Sequence, residues 1–182
     1  EDAPPARRTG HVSAYWANWV DSRLPAFPVN VVTGNLTFRD ASLVGFSGAR
    51  VLVDNLSLPL LWGGSWDGHS IEIEAQAIRH FGFQRHWELA SALVLRSADI
   101  GLWAQNSVNL AWGNGFSYAL SDPAFEFGVN GVRGVDTRRF QYHMFFEAEF
   151  RNADWRRLSI FARLHHRSGI YGLISPQRTG SN

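Results

Sequence analysis

The chain lacks cysteine and lysine, and it has no long hydrophobic run. Without cysteine it can form neither a disulfide framework nor a thiolate metal site. No stretch approaches the roughly 20 consecutive apolar residues that an α-helix needs to cross a bilayer. All 17 strongly basic residues are arginines. Because the guanidinium group makes bidentate bonds to carboxylates and phosphates, these residues suit buried ion pairs and lipid headgroups.

A strong charge of either sign is also missing. The 182 residues carry a net charge of +1, and 18% of them are charged whereas 45% are hydrophobic. This balance provides no field that would attract DNA or RNA, and no basic run interleaved with aromatic residues occurs. We therefore expect no nucleic-acid partner, and we predict a single domain over residues 1–182.

Alternation of apolar and polar residues divides the chain into seven predicted strands. They span residues 11–21, 41–54, 69–81, 84–97, 102–120, 138–151 and 155–171. Hairpin turns are predicted at 81–84 and 152–155, and longer joins with proline and glycine at 22–40, 55–68 and 121–137. The chain is therefore predicted to be all-β with antiparallel strands.

Two of these strands separate an apolar face from an ionisable face. The apolar faces carry Ile71, Ile73, Ala75 and Ala77 in one strand and Phe140, Tyr142, Met144, Phe146, Ala148 and Phe150 in the other. The opposite faces carry Glu72, Glu74 and Gln76, and His143, Glu147 and Glu149. A membrane barrel turns the apolar face to lipid, whereas a soluble barrel of the lipocalin kind turns it inward. The alternation alone leaves both arrangements open.

Tryptophan favours the membrane arrangement. Four of the eight tryptophans lie near ends of predicted strands, namely Trp19, Trp87, Trp103 and Trp155. In membrane barrels such rings form girdles at the headgroup level. We predict an antiparallel transmembrane β-barrel of the bacterial outer membrane, with eight strands because such barrels have an even number and eight is the smallest. The eighth strand is then hidden in a predicted join, or it lies at or beyond the end of the chain.

One strand ends with a histidine and a serine on its apolar face. This face of segment 158–168 consists of Leu158, Ile160, Ala162, Leu164, His166 and Ser168. Residues two apart on one face are separated by about 6.6 Å, so the imidazole can lean towards the hydroxyl. A serine becomes an effective nucleophile when such a base takes its proton.

The final block, residues 165–182, has the sequence HHRSGIYGLISPQRTGSN. It resembles the C-terminal part of the outer-membrane lipid A 3-O-deacylases, the PagL-like acyloxyacyl hydrolases. The resemblance is confined to this block. It implies an eight-stranded barrel that hydrolyses the 3-position acyl ester of lipid A, with Ser168 as the nucleophile and His166 as the general base on the lipid-facing wall.

The resemblance also assigns two further positions. Asn182 stands where the family has a glutamate that orients the histidine. An asparagine can accept a hydrogen bond from the ring, but it cannot stabilise the imidazolium by charge. Gly169 follows the serine where the family has an asparagine, and its backbone N–H is a candidate donor to an oxyanion. The function implied is a Ser-His esterase that removes an acyl chain from lipid A, with no cofactor.

Two other functions stay open from the sequence. The same barrel without catalysis would be a structural or assembly component of the outer membrane, and a soluble barrel would bind an apolar ligand. Polar faces of the predicted strands are interpreted as structural ion pairs; they carry Glu72, Glu74, Glu88, Arg96, His143, Glu147, Glu149, Arg163, His165 and Arg167. No metal site is predicted, because the histidines show no spacing typical of metal ligands.

Overall fold

The computed structural model describes residues 9–22, 24–128, 130–155, 157–170, 173–175 and 179–181. The strands in these ranges are β1 (Gly10–Val20), β2 (Phe38–Pro59), β3 (Ser65–Gly82), β4 (Trp87–Arg96), β5 (Ile100–Gly101), β6 (Asn106–Ala119), β7 (Phe140–Asn152), β8 (Ser159–Ser168) and β9 (Gly180–Ser181). A 3₁₀ turn (Leu24–Ala26) and a helix, α1 (Phe27–Thr33), join β1 to β2. No described helix is long and apolar enough to span a membrane.

The strands form one antiparallel sheet in the order β1-β2-β3-β4-β6-β7-β8-β9, and the short β5 pairs with β6. Each long strand therefore lies beside the long strand that follows it in the chain. This arrangement confirms the prediction of an all-β, antiparallel fold. Among the described residues, β1 forms one edge of the sheet and β9 with the rest of β8 forms the other.

The predicted join at 55–68 is wrong, because β2 and β3 continue through most of it and turn only at 60–64. Three register shifts interrupt the pairing of β2 with β3, and Asn55 has a positive φ of 55°. Such bulges break the two-residue period on which the prediction depended. The turn itself uses Gly63 and Gly64, with φ of 93° and 85°.

Two further differences have local causes. The predicted join at 22–40 contains α1, which has a proline in its first turn and ends at Gly34 in the left-handed conformation, a common helix C-terminus. The predicted strand 102–120 begins only at Asn106, as β6, and the short β5 lies before it. Ala104, with a φ of 54°, bends the chain between them.

Burial in this sheet is inverted relative to a soluble protein. Glu72, Glu74 and Gln76 of β3 are buried, whereas Ile73 between them is 46% exposed. In β7, Gln141, His143, Glu147 and Glu149 are buried and Phe140, Phe146 and Phe150 are exposed. The polar faces therefore point inward, which is the opposite of what a soluble barrel with an apolar interior requires.

The sheet curls around this polar interior. Arg163 of β8 donates to Glu74 of β3 at 2.7 Å, although the two strands are far apart in the sheet order. Near the two sheet edges, the rings of Tyr15 in β1 and Phe161 in β8 lie 6.2 Å apart. A cavity of about 330 Å³ lies between these edge strands.

Ion pairs fill much of the interior, as predicted for the polar faces. Arg96 contacts Glu72 at 3.1 Å, Glu147 at 3.0 Å and Glu149 at 3.3 Å. Arg163 also contacts Glu147, at 2.6 Å. These residues come from four strands, so the network joins opposite walls of the curled sheet.

The connections differ between the two ends of the sheet. Because the strands alternate in direction, the joins at 21–37, 83–86, 120–139 and 169–179 lie at one end and those at 60–64, 97–105 and 153–158 lie at the other. We call the first the loop end, since it holds the long joins. The C-terminus of β8 lies at this loop end.

Candidate functional site

His166 and Ser168 lie near the loop end of β8, on its outward face. Both are partly buried, and the intervening Arg167 is fully buried inside. Pairing with β7 places His166 opposite Met144 and Ser168 opposite Tyr142. The two residues therefore share a face with exposed Ile160, as the alternation predicted.

Arg167 fixes the backbone between these two side chains. Its guanidinium donates to the Ser117 hydroxyl at 2.8 Å and to the Arg139 carbonyl oxygen at 3.0 Å, and it pairs with the buried carboxylate of Glu126. A charged group bound on several sides inside the fold has little freedom to rotate. The strand that carries His166 and Ser168 is consequently anchored from within.

The segment after Ser168 folds back onto Gly169. The Gly169 N–H donates to the Thr179 carbonyl at 3.2 Å, and the Gly169 carbonyl accepts from the Ile174 N–H at 3.1 Å. A side chain at Gly169 would place its Cβ 2.5 Å from the Ser175 carbonyl oxygen, so only glycine fits. The N–H assigned to an oxyanion is thus already engaged, and that role would require its present bond to open.

Asn182 lies outside the described residues. The chain approaches it along the free edge of β8, since Gly180 pairs with Ser168 and Ser181 pairs with Arg167. This pairing keeps Gly180 and Ser181 beside the end of β8.

A second group of ionisable side chains lies behind β8, in the interior. Its members are His80, His86, Glu88, His143 and His165, and we call them the Glu88 cluster. His80 Nε2 lies 2.9 Å from one Glu88 carboxylate oxygen, and His165 Nε2 lies 3.6 Å from the other. The rings of His80 and His86 stack with centroids 4.2 Å apart, and those of His143 and His165 are 4.7 Å apart.

His86 lies in the short join between β3 and β4, and it is 2% exposed. Burial, followed by the neighbouring charge of His80, lowers the pKa of His86 to about 3. Its imidazole is therefore neutral at pH 7, and neither ring nitrogen has a hydrogen-bond partner. An unpaired buried imidazole is costly unless something else binds it.

Spacing along the chain does not reveal the Glu88 cluster. The β3–β4 hairpin holds His80, His86 and Glu88, and the paired strands β7 and β8 carry His143 and His165. Only the curl of the sheet brings these two groups together. The polar faces of the predicted strands did provide a signal, because Glu88, His143 and His165 lie on them and are predicted there as members of ion pairs. The distance along the chain from Glu88 to the last two hides a shared ligand set.

No protein-family model, curated protein or solved structure matches the chain.

Proposed function

We propose that the chain is a transmembrane β-barrel of the bacterial outer membrane and that its His166–Ser168 pair hydrolyses an acyl ester of lipid A. The inverted burial is the observation that supports the transmembrane barrel. Val12, Trp16 and Phe46 are 88%, 66% and 56% exposed, on the face opposite the buried glutamates. A surface of this kind is unfavourable in water but matches the apolar band of a membrane barrel.

The exposed tryptophans support the same environment. Trp87 lies at the loop end, and Trp103 and Trp155 lie at the opposite end; they are 45%, 74% and 52% exposed. Exposed indole rings at both ends of the sheet match the two interfaces of a membrane. In outer-membrane barrels the longer loops face the cell exterior. If the loop end faces outward in the same way, Ser168 lies near the outer leaflet.

Closure by an eighth strand completes the proposed barrel. The alternating sheet order makes β1 and β8 run in the same direction, and β9 begins a strand of opposite direction along β8. A continuation of β9 would pair with β8 on one side and β1 on the other. Closure of this kind leaves no sheet edge in contact with lipid.

The catalytic step follows from the two side chains. His166 takes the proton of the Ser168 hydroxyl while the serine oxygen bonds to the ester carbonyl carbon. The carbon–oxygen bond to the sugar breaks, and His166 returns the proton to the leaving hydroxyl. Water, activated by the same imidazole, then releases the fatty acid and restores Ser168. Asn182 would orient the ring by accepting its other N–H.

Mass spectrometry of lipid A tests this function. The chain and its Ser168→Ala variant are expressed in a Gram-negative host, with Ser91→Ala as a control, since Ser91 is an outward-facing serine on β4. We expect lipid A to lose one acyl chain with the wild type and the control but to stay intact with Ser168→Ala. If all three proteins are folded in the membrane and lipid A stays intact with each of them, the proposed esterase activity is refuted.

The alternative, a barrel with a structural or assembly role, is favoured by one observation. The Gly169 N–H is bonded to Thr179 and does not point freely at a substrate. Intact lipid A in the test above would therefore favour this alternative without affecting the proposed membrane fold.

A further inference from the structure

We propose that the Glu88 cluster binds a divalent transition-metal ion inside the curled sheet. Two overlapping triads present ligand atoms within 4.8 Å of one another. One consists of His80, His86 and Glu88, and the other of Glu88, His143 and His165. Glu88 belongs to both, because one carboxylate oxygen faces His80 and the other faces His165.

The first support is a set of buried nitrogen atoms without hydrogen bonds. Both ring nitrogens of His86 and of His165, and Nδ1 of His143, have no such partner. The side chains of His86, His143 and His165 are all more than nine-tenths buried. Three imidazoles around one carboxylate, each with an unused nitrogen, are explained if an ion is the missing partner.

The local charge supports a cation. Glu88 and Glu126 are fully buried, and the guanidinium of Arg167 lies 3.4 Å from Glu88 and bonds to Glu126. Two carboxylates thus share one guanidinium in this part of the described interior. A divalent ion beside Glu88 would offset the remaining negative charge, whose burial is otherwise costly.

The donor atoms select the class of metal. Imidazole nitrogen with one carboxylate suits Zn²⁺ and related ions such as Co²⁺ and Ni²⁺, whereas Ca²⁺ and Mg²⁺ prefer oxygen ligands. Zinc holds nitrogen ligands at about 2.0–2.1 Å, which places tetrahedral ligand atoms roughly 3.4 Å apart. Separations within the triads, which are at most 4.8 Å, would therefore have to contract by no more than about 1.4 Å, which side-chain rotation can provide.

A cavity adjoins the cluster. It lies between β1 and β8 and is lined by His80 and His165, which belong to the two triads. An ion bound by Glu88, His143 and His165 would connect β4 to β7 and β8, and it would hold the strand that carries His166 and Ser168.

Metal titration of the refolded chain tests the proposal. The chain, without a histidine tag, is refolded in detergent micelles, cleared of metal with a chelator and titrated with Zn²⁺ by calorimetry. Co²⁺ provides a second readout through its visible bands, which are intense in tetrahedral nitrogen and oxygen coordination. The test variant combines His86→Gln with His165→Gln. The control is His69→Gln, because His69 is also buried with an unpaired Nε2 but lies outside the cluster.

We expect saturable Zn²⁺ binding by the wild type and by His69→Gln, with affinities within about twofold. The double variant should bind at least about tenfold more weakly and lose the Co²⁺ bands. Circular dichroism shows whether each protein is folded. Absence of saturable binding by the folded wild type would overturn the proposal, and so would equal binding by the double variant or an equal loss with His69→Gln.

Discussion

Substitution of Arg163 by methionine should be among the most damaging single changes in the interior. Its guanidinium makes two bonds to Glu74, at 2.7 and 3.1 Å, and two to Glu147, at 2.8 and 2.6 Å. Methionine fills most of the same space but offers no donor. The change therefore leaves two buried carboxylates without their shared cation.

The magnitude follows from what each carboxylate retains. Glu147 keeps a 3.0 Å contact with Arg96, and Glu74 keeps a 2.8 Å bond from the Gln76 side chain. Because each carboxylate keeps one partner, the loss of stability should match that measured for one broken buried ion pair. We expect the free energy of unfolding to fall by about 3–5 kcal/mol.

The assay is reversible denaturant unfolding of the refolded chain in lipid vesicles, followed by tryptophan fluorescence. The control is Arg151→Met, because Arg151 contacts Asp99 at 2.7 Å with side chains that are 41% and 42% exposed. This exposed pair should contribute less than about 1 kcal/mol. Equal losses for the two variants, or a loss below about 1 kcal/mol for Arg163→Met, would refute the argument that the interior network stabilises the fold.

Two further predictions concern local packing and charge. Gly45→Ala should lower the free energy of unfolding by about 1–3 kcal/mol, because the added Cβ would lie 2.1 Å from the Tyr15 ring. The control is Gly48→Ala, whose Cβ meets open space, and it should change the free energy of unfolding little in the same assay. Asp122, outside the strands, accepts a hydrogen bond from Arg139 that lowers its pKa. Stability from this contact should therefore persist above the ordinary aspartate pKa and disappear only as the pH falls through the lowered value. Nuclear magnetic resonance titration of Asp122 should show the lowered pKa, and Arg139→Gln should abolish the difference.

Much of the strand pattern is predictable from local residues. A two-residue period assigns side chains to faces wherever pairing is regular, as in β7 and β8. It fails in β2 beyond Val51, where register shifts move the faces, so the pattern predicts a join at 55–68 although β2 continues to Pro59. The helix α1 was missed because seven residues are too few for a clear helical period.

The two candidate sites also differ in how far local sequence predicts them. His166 and Ser168 are two residues apart on one strand, so alternation alone places them on one outward face. The Glu88 cluster combines three residues of the β3–β4 hairpin with His143 and His165, and no local pattern specifies the distance between these two groups.

Local sequence is enough to predict an antiparallel all-β chain in which each strand has one apolar and one polar face, because these properties depend on near neighbours. Which face points inward depends on how the whole sheet folds, since alternation is the same for a soluble barrel and its inverse. The curl of the sheet also decided which buried groups meet. It paired Arg163 with Glu74 and brought His143 and His165 to Glu88, because only contacts between distant strands create those distances.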